Sequence, residues 1–349
     1  MHWAIIVSII IVILYVLRKY FKGGHCQCKH SLKGKTIIVT GASSGIGKEA
    51  VYDLVKHGAN VILACRNEAK TNEAMKGLTE EQRKLTKFIR LDLCDFDSVF
   101  KFSEQVKKEY PKIDILMNNA GLFPQQYQIT KDGMECNLQG NFTGHFLLTF
   151  LLFDHFDKND ARIINLSSIA IQGTDFHDDV NIQEMYDVKK SEEKYFKQMN
   201  CKIKLYSNTK LLMLYFSKFL AKLCENKFPH IKSAALHPGV VYTDFLLYLA
   251  EDNYKILNIL FILLTPFLKW MMKSPSDGAE TQLNLCYLPF GSIVSGAYYS
   301  DCKIKDTNEC TKNFNKINNC MRLTVQELKK IFPDLKELDI LNEILFKNN

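Results

Sequence analysis

From Lys35 onward, short apolar, β-branched runs alternate with longer stretches whose apolar residues recur at helical spacing. The runs are "TIIVT" from Thr36, "NVILAC" from Asn60, "KFIRLDL" from Lys87, "IDILMNNAG" from Ile113, "RIINLSS" from Arg162 and "IKSAALHPG" from Ile231. They are rich in β-branched residues, the pattern of strands buried on both faces. The intervening stretches include "KEAVYDLVKHG", "VFKFSEQVKKEY" and "LLMLYFSKFLAKL", all long enough to be crossover helices. Strand and helix in strict alternation predict an α/β fold, a doubly wound parallel sheet forming one Rossmann-like domain over residues 33–330.

Two apolar stretches fall outside that rhythm. "WAIIVSIIIVILYVL" runs uncharged from Trp3 to Leu17 and is followed by Arg18, Lys19 and Lys22. As a helix those residues rise about 22 Å, and the long basic side chains extend the reach by snorkelling. The charge follows the apolar run instead of preceding it, and no small-x-small cleavage site appears, which argues against a removed signal peptide. Residues 1–22 are therefore expected to be a single-pass transmembrane anchor, with 23–32 a basic linker and the body on the cytosolic side. The endoplasmic reticulum is the expected membrane. "ILNILFILLTPFLKWMM" begins at Ile256 and is broken by Pro266. It suits a lid better than a span. Residues 331–349 read as a helical tail.

Composition narrows the function. Hydrophobic residues make up 47% of the 349 and charged residues 24%, which is globular. The net charge of +7 is spread among acids, apart from the basic cluster near the N-terminus. That suits an anionic membrane surface or a phosphate, and no nucleic-acid partner is expected. The 11 cysteines are scattered, and Cys26-x-Cys28 is too short for a zinc pair, so no metal is expected. S-acylation of Cys26 and Cys28 is a lesser reading. The sequons at Asn141 and Asn165 both fall in core-like segments.

"TIIVTGASSGIGKEA" ends a strand and opens a helix, with glycines at 41, 45 and 47. Glycines so placed allow a tight turn and let backbone N–H groups approach a pyrophosphate at the helix N-terminus. The end of the next strand, where a dinucleotide site usually keeps an acid for the ribose, carries Arg66. Arginine there pairs with a 2′-phosphate, and Lys48 adds positive charge, so NADP(H) is expected over NAD.

The chain holds 15 tyrosines, and Tyr-x-x-x-Lys starts at Tyr15, Tyr52, Tyr127, Tyr186, Tyr206 and Tyr299, so the spacing alone selects none. Taken together, Thr40-Gly41-x-x-x-Gly45-x-Gly47, Asp92 in "LDL", "NNAG" from Asn118, Asn141, "NLSS" ending at Ser168, Tyr206-x-x-x-Lys210 and "HPGVVYT" from His237 resemble the short-chain dehydrogenase/reductase family. "ACRN", "GHFLLT" and "SGAYYSDCK" are more narrowly similar to the membrane-anchored retinol dehydrogenases. Only Tyr206 lies between the "NLSS" strand and a strongly apolar helix, whereas Tyr186 is followed by the polar "KKSEEKYFKQ".

The resemblance implies catalytic Asn141, Ser168, Tyr206 and Lys210. Tyr206 would exchange a proton, Lys210 would lower its pKa and bond the nicotinamide ribose, Ser168 would hold the substrate oxygen, and Asn141 would bind a relay water. It implies cofactor contacts from Gly41, Ser43, Ser44, Gly45, Ile46, Gly47, Arg66, Asp92, Leu93, Asn118, Tyr206, Lys210, Pro238, Gly239, Val241 and Thr243. It places an apolar lid at 245–273, touching the bilayer, and is compatible with a homodimer. The expected function is hydride transfer between NADP(H) and a lipophilic alcohol or carbonyl, retinol/retinal first. A steroid, fatty aldehyde or other carbonyl is the alternative substrate, and a catalytically silent membrane adaptor the alternative class. One departure bears on the substrate. The interval from Ser168 to Tyr206 is longer than the family's usual one, and its extra segment, "NIQEMYDVKKSEEKYFKQMN", reads as a polar surface excursion.

Overall fold

The computed structural model describes residues 2–124, 126–174, 182–197, 202–242 and 265–346. Its centre is an eight-stranded sheet in the order β3-β2-β1-β4-β5-β6-β7-β8. The strands are β1 Thr36–Thr40, β2 Asn60–Cys65, β3 Thr86–Arg90, β4 Ile115–Asn118, β5 Ala161–Leu166, β6 Ile231–His237, β7 Tyr298–Ser300 and β8 Lys303–Ile304. All neighbours pair in parallel except β7 and β8. Strand order reverses between β1 and β4, so the chain winds outward in both directions from that crevice, the usual ligand position in such sheets.

Helices cover both faces because the central strands have no polar face to offer water. Every residue of β1 and β4 is buried. On one side the core takes Phe96, Val99 and Phe102 from the helix Phe96–Glu109, Phe146 from Gly144–Leu151, and Leu212 and Phe216 from Lys202–Lys227. On the other it takes Val51 and Leu54 from Gly45–Lys56, with Leu283 and Tyr287 from Pro275–Tyr287. The helix Lys336–Phe346 adds Leu338, Leu341 and Leu345 to the first core. The extra segment before Tyr206 is a pair of short helices, Ile182–Tyr186 and Val188–Tyr195. Its exposed side is polar, but Ile182, Met185 and Tyr195 reach the same core.

The N-terminal residues form a helix, His2–Lys22, that leaves Trp3, Ile5, Ile9, Val12, Val16 and Tyr20 exposed. The expected transmembrane anchor is corrected to this extent: among the described residues, no helix is long and apolar enough to cross a membrane. The physical reason lies in the uncharged run, whose rise of about 22 Å falls short of a hydrocarbon core of about 30 Å. The linker after it is seated on the body. The Cys26 amide donates to Glu280 Oε2 at 2.7 Å, and Lys29 Nζ reaches Asp53 at 2.8 Å and Glu280 at 3.2 Å. The Arg18 guanidinium lies 5.1 Å from the Trp270 ring centre.

Candidate active site

The glycine turn leaves β1 and enters the helix Gly45–Lys56 at the crevice. Gly41 and Gly45 have φ of +69° and +54°, a region that favours glycine. A Cβ on Gly47 would stand 2.5 Å from both Asn119 Nδ2 and Gly41 O, so the backbone packs closer than any side chain allows. Ser44 precedes the helix in extended conformation with no side-chain cap, leaving the first-turn amides free of a local acceptor. Ser43, Ser44 and Ile46 lie on this turn. The cradle fits the pyrophosphate of a dinucleotide.

The neighbouring loops complete that end. Arg66 is exposed one residue past β2. After β3, Asp92 Oδ1 accepts from the Cys94 amide at 3.0 Å and Leu93 is buried. Asn118 closes β4, its Nδ2 donating to Asn165 Oδ1 at 2.9 Å and Thr149 Oγ1 at 3.2 Å, while its Oδ1 is buried without a partner. Beyond β6, Pro238 is buried and Gly239 has φ of +94°. Val241 bridges Lys273 and packs where a Cβ on Gly278 would sit. Thr243 and lid residues 245–264 lie outside the described residues.

Asn141, Ser168, Tyr206 and Lys210 meet at the C-terminal ends of β4 and β5. Asn141 sits in a π-helical turn, Gln139–Thr143. Its Oδ1 accepts from the Leu122 amide at 2.7 Å, and its Nδ2 faces Leu122 O at 3.0 Å, Asn137 Oδ1 at 3.0 Å and Thr209 Oγ1 at 3.2 Å. The side chain thus clamps the loop after β4 to the helix Lys202–Lys227. Lys210 Nζ, 2% exposed as a residue, donates to Leu166 O at 3.1 Å. A Cβ on Gly121 would come within 3.1 Å of that nitrogen, so the glycine of "NNAG" leaves room for the lysine.

Tyr206 stands beside Ser168, and its ring packs edge-on against Phe123 at 5.7 Å. Burial pushes its hydroxyl above the ordinary tyrosine range, and the Ser168 hydrogen bond pulls it back. Burial also lowers Lys210 to about 8. Lys210 Nζ lies 5.7 Å from the Tyr206 ring centre. The expected lowering of the tyrosine by the lysine is therefore outweighed here by burial of both groups.

Several positioning residues were not singled out by the sequence. His145 is fully buried, and desolvation, reinforced by Lys210, lowers it to about 3, so the ring is neutral. Its Nδ1 faces Asn141 O at 3.2 Å, which can only accept, so Nδ1 carries the proton. Nε2 is then an acceptor facing the Thr40 hydroxyl at 3.0 Å, whose single proton is shared between it and Met117 O at 3.2 Å. Thr40 Oγ1 in turn accepts from the Asn119 and Ala120 amides, both at 2.9 Å. This relay locks β1, the "NNAG" loop and the Asn141 helix together. On the other side, the Tyr298 hydroxyl donates to Ser168 O at 3.1 Å, and His237 Nδ1 accepts from the Ile169 amide at 3.1 Å. His145 lies in "GHFLLT" and Tyr298 in "SGAYYSDCK", stretches that carry the resemblance without assigning either residue a role. Among the described residues, no cluster of three or more His, Cys, Asp or Glu residues could hold a metal ion.

The family model described as short chain dehydrogenase matches residues 35–177. Retinol dehydrogenase 12 of Mus musculus is 36% identical over 291 residues, covering 82% of this chain and 84% of that protein. Retinol dehydrogenase 13 of Homo sapiens is 34% identical over 294 residues, covering 83% of each. Among solved structures, an uncharacterized protein from Mycobacterium Paratuberculosis superposes with a TM-score of 0.64 at 22% identity, covering 88% of this chain and 98% of that one. A short chain dehydrogenase from Salmonella enterica serovar Typhi does so with a TM-score of 0.57 at 21% identity, covering 79% and 99%. These structures share the fold, the family model covers the glycine turn, and the curated relatives share sequence over more than four fifths of the chain. The chain belongs to the short-chain dehydrogenase/reductase family and, within it, is similar to the retinol dehydrogenases.

Proposed function

We propose that this chain is a membrane-associated, NADP(H)-dependent oxidoreductase that interconverts a lipophilic alcohol and its carbonyl, with retinol/retinal as the first candidate. The observation that carries the reading is the convergence of Ser168, Tyr206 and Lys210 beside a glycine cradle shaped for a dinucleotide. The nicotinamide, when bound, supplies or accepts the hydride. The chain's residues handle the oxygen and its proton. Ser168 holds the substrate oxygen, and Tyr206 gives its proton to that oxygen in reduction and takes it back in oxidation. Lys210, mostly protonated at neutral pH, stabilises the phenolate so formed. Asn141 keeps the loop and the tyrosine helix in register. Gly41, Ser43, Ser44, Gly45, Ile46 and Gly47 hold the pyrophosphate, Asp92, Leu93 and Asn118 the adenosine side, and Pro238, Gly239, Val241 and Thr243 the nicotinamide side.

Arg66 supports NADP(H), because a guanidinium pairs with a 2′-phosphate that a carboxylate would repel. Arg66→Asp is expected to weaken NADPH by roughly 1–3 kcal/mol and NADH far less. Equal losses would sink the preference. The apolar face of His2–Lys22 and the exposed Phe267 and Trp270 support attachment to a bilayer, with the endoplasmic reticulum and a cytosolic body as our reading. Deleting residues 1–22 is expected to release a chain that still binds NADPH.

The deciding assay presents membranes carrying the full chain with NADPH and a panel of retinal, a steroid ketone and a fatty aldehyde. NADPH-dependent reduction of retinal supports the reading. Preference for another carbonyl transfers it to that substrate, and cofactor binding without any reduction points to a silent adaptor.

A further inference from the structure

Two cysteines meet beside the adenosine end of the cradle. Cys94 follows the Asp92–Leu93 turn, and Cys136 opens the helical segment that leads through Asn137 to Asn141. Their sulfurs are 3.5 Å apart, in contact but not bonded. Neither residue is fully buried. Gly140 is packed so tightly on this pair that a Cβ there would stand 2.9 Å from Cys94 Sγ. Each thiol also feels the Arg66 guanidinium, which favours thiolate, and the Asp92 carboxylate, which opposes it. A hydrogen bond with Cys94 holds the Cys136 thiol below the ordinary cysteine range, against burial and the Glu135 and Asp92 carboxylates.

We propose that Cys94 and Cys136 form a reversible dithiol–disulfide pair that couples thiol redox state to cofactor affinity. The oxidant class is a small disulfide such as glutathione disulfide. The Cys136 thiolate attacks one glutathione sulfur, forming a mixed disulfide and releasing one glutathione thiolate. Cys94, losing its proton, then attacks the Cys136 sulfur and expels the second. Two electrons pass from the pair to the small disulfide, and both protons end on glutathione. Closing the bond brings the sulfurs from 3.5 Å to about 2.05 Å, with Cys94 drawn towards the Asn141 segment. The Cys94 amide is a donor to Asp92 Oδ1, so the movement distorts the turn that flanks the adenosine. The other close pair, Cys26 and Cys28, is also 3.5 Å apart. That pair is held on the linker, with the Cys26 amide on Glu280 and the Cys28 thiol on Asn284 Oδ1 at 3.6 Å, and does not adjoin the Asp92 turn.

The coupling rests on the cofactor reading above; the disulfide itself does not. The full-length protein is equilibrated in glutathione redox buffers, then alkylated and mapped by mass spectrometry, and NADPH affinity is measured on the same samples. A Cys94–Cys136 crosslink that dithiothreitol reverses is expected, with NADPH binding weakened about fivefold or more in the oxidised form. Saturating NADPH should shift the crosslink midpoint towards more oxidising buffer by the same factor. Cys94→Ser and Cys136→Ser should each bind NADPH as the reduced wild type does and lose all response to the buffer. No crosslink at any poise overturns the proposal. A crosslink with unchanged affinity, or a redox response surviving in both serine variants, overturns the coupling. Failure of the fully reduced chain to bind NADPH would instead strike the cofactor reading, with the crosslink read separately.

Discussion

Tyr206 and Tyr186 share a spacing to lysine, and the short helix Val188–Tyr195 separates the helices that carry them, yet their surroundings differ. Tyr186 turns inward and donates to Thr324 Oγ1 at 3.0 Å, away from the crevice. Its partner by spacing, Lys190, is 64% exposed and pairs with Asp187 across solvent. Tyr206 and Lys210 are both buried, and both point to the ends of β4 and β5. Burial raises the hydroxyl of both tyrosines, so a perturbed tyrosine by itself identifies nothing. The serine beside one of them, and a lysine that has lost water, make the difference.

The sharpest way to break the comparison is a pair of phenylalanine substitutions. Tyr206→Phe is expected to cut turnover by about 10²–10⁴-fold with NADPH binding nearly intact, while Tyr186→Phe leaves turnover unchanged. Equal losses in a steady-state assay would remove Tyr206 from its role. The lysines give the next contrast. Lys210→Met should lose turnover yet raise stability at pH 7 by roughly 1–3 kcal/mol, as burial holds the folded-state pKa near 8 against 10.5 unfolded. The unfolded chain binds more protons between those values, so the wild type gains stability as pH rises from about 8, and the gap to Lys210→Met closes. Urea unfolding at pH 7 and pH 10 reads this directly. Reduction by the wild type should decline above about pH 8 as Lys210 discharges. Lys190→Met should alter neither quantity.

Glu135 lies at the seam between the two regions, close enough to raise the Tyr127 hydroxyl that donates to Val188 O. It is 1% exposed, its Oε2 accepts from the Leu138 amide at 2.8 Å, and its Oε1 is buried without a partner. Burial raises it from 4.5 to about 7. The folded state then holds the proton that the unfolded state releases, so stability is lost as pH rises from about 4.5 to 7. Glu135→Gln should gain roughly 1–3 kcal/mol at pH 8 and little at pH 5, measured by thermal melts. The smallest effect returns to Tyr186. Its phenylalanine variant should lose about 0.5–1.5 kcal/mol of stability for the hydrogen bond to Thr324. A larger loss would mean that the short helices support the sheet more than their size suggests.

The legible part of the molecule was the part in which one local rule decides the outcome. Strands β1, β2, β4, β5 and β6 follow from apolar runs, and the glycine turn from a backbone path that only glycine permits. Strand β3, at the sheet edge, buries only Ile89 and departs from the expectation of burial on both faces. Less legible was anything settled by distant contacts. Strands β7 and β8 are three and two residues long, too short for a period, and exist because Tyr298 pairs beside Ala235. His145 was one buried aromatic among many until its ring linked Asn141 to Thr40. The charge of the segment before Tyr206 points to a surface excursion, but Ile182, Met185 and Tyr195 tie it to the core. At the N-terminus the apolar helix was legible, while its full span was not, since length and flanks pull in opposite directions.

The π-turn at Gln139–Thr143 has a consequence for how this family member can vary. A π-turn is one residue wider than the α-turn it replaces, so removing a single residue there would restore regular winding. Everything on one side would then swing by about 100° relative to the other. Asn141 would leave Leu122, and His145 would leave Thr40. The chain is thus intolerant of a one-residue change in length at this point, while the stretch ahead of Tyr206 accommodates an entire extra pair of helices. Length variation, like charge, is partitioned: forbidden where a helix is threaded through the cluster of Asn141, Tyr206 and Lys210, and permitted in the segment ahead of Tyr206.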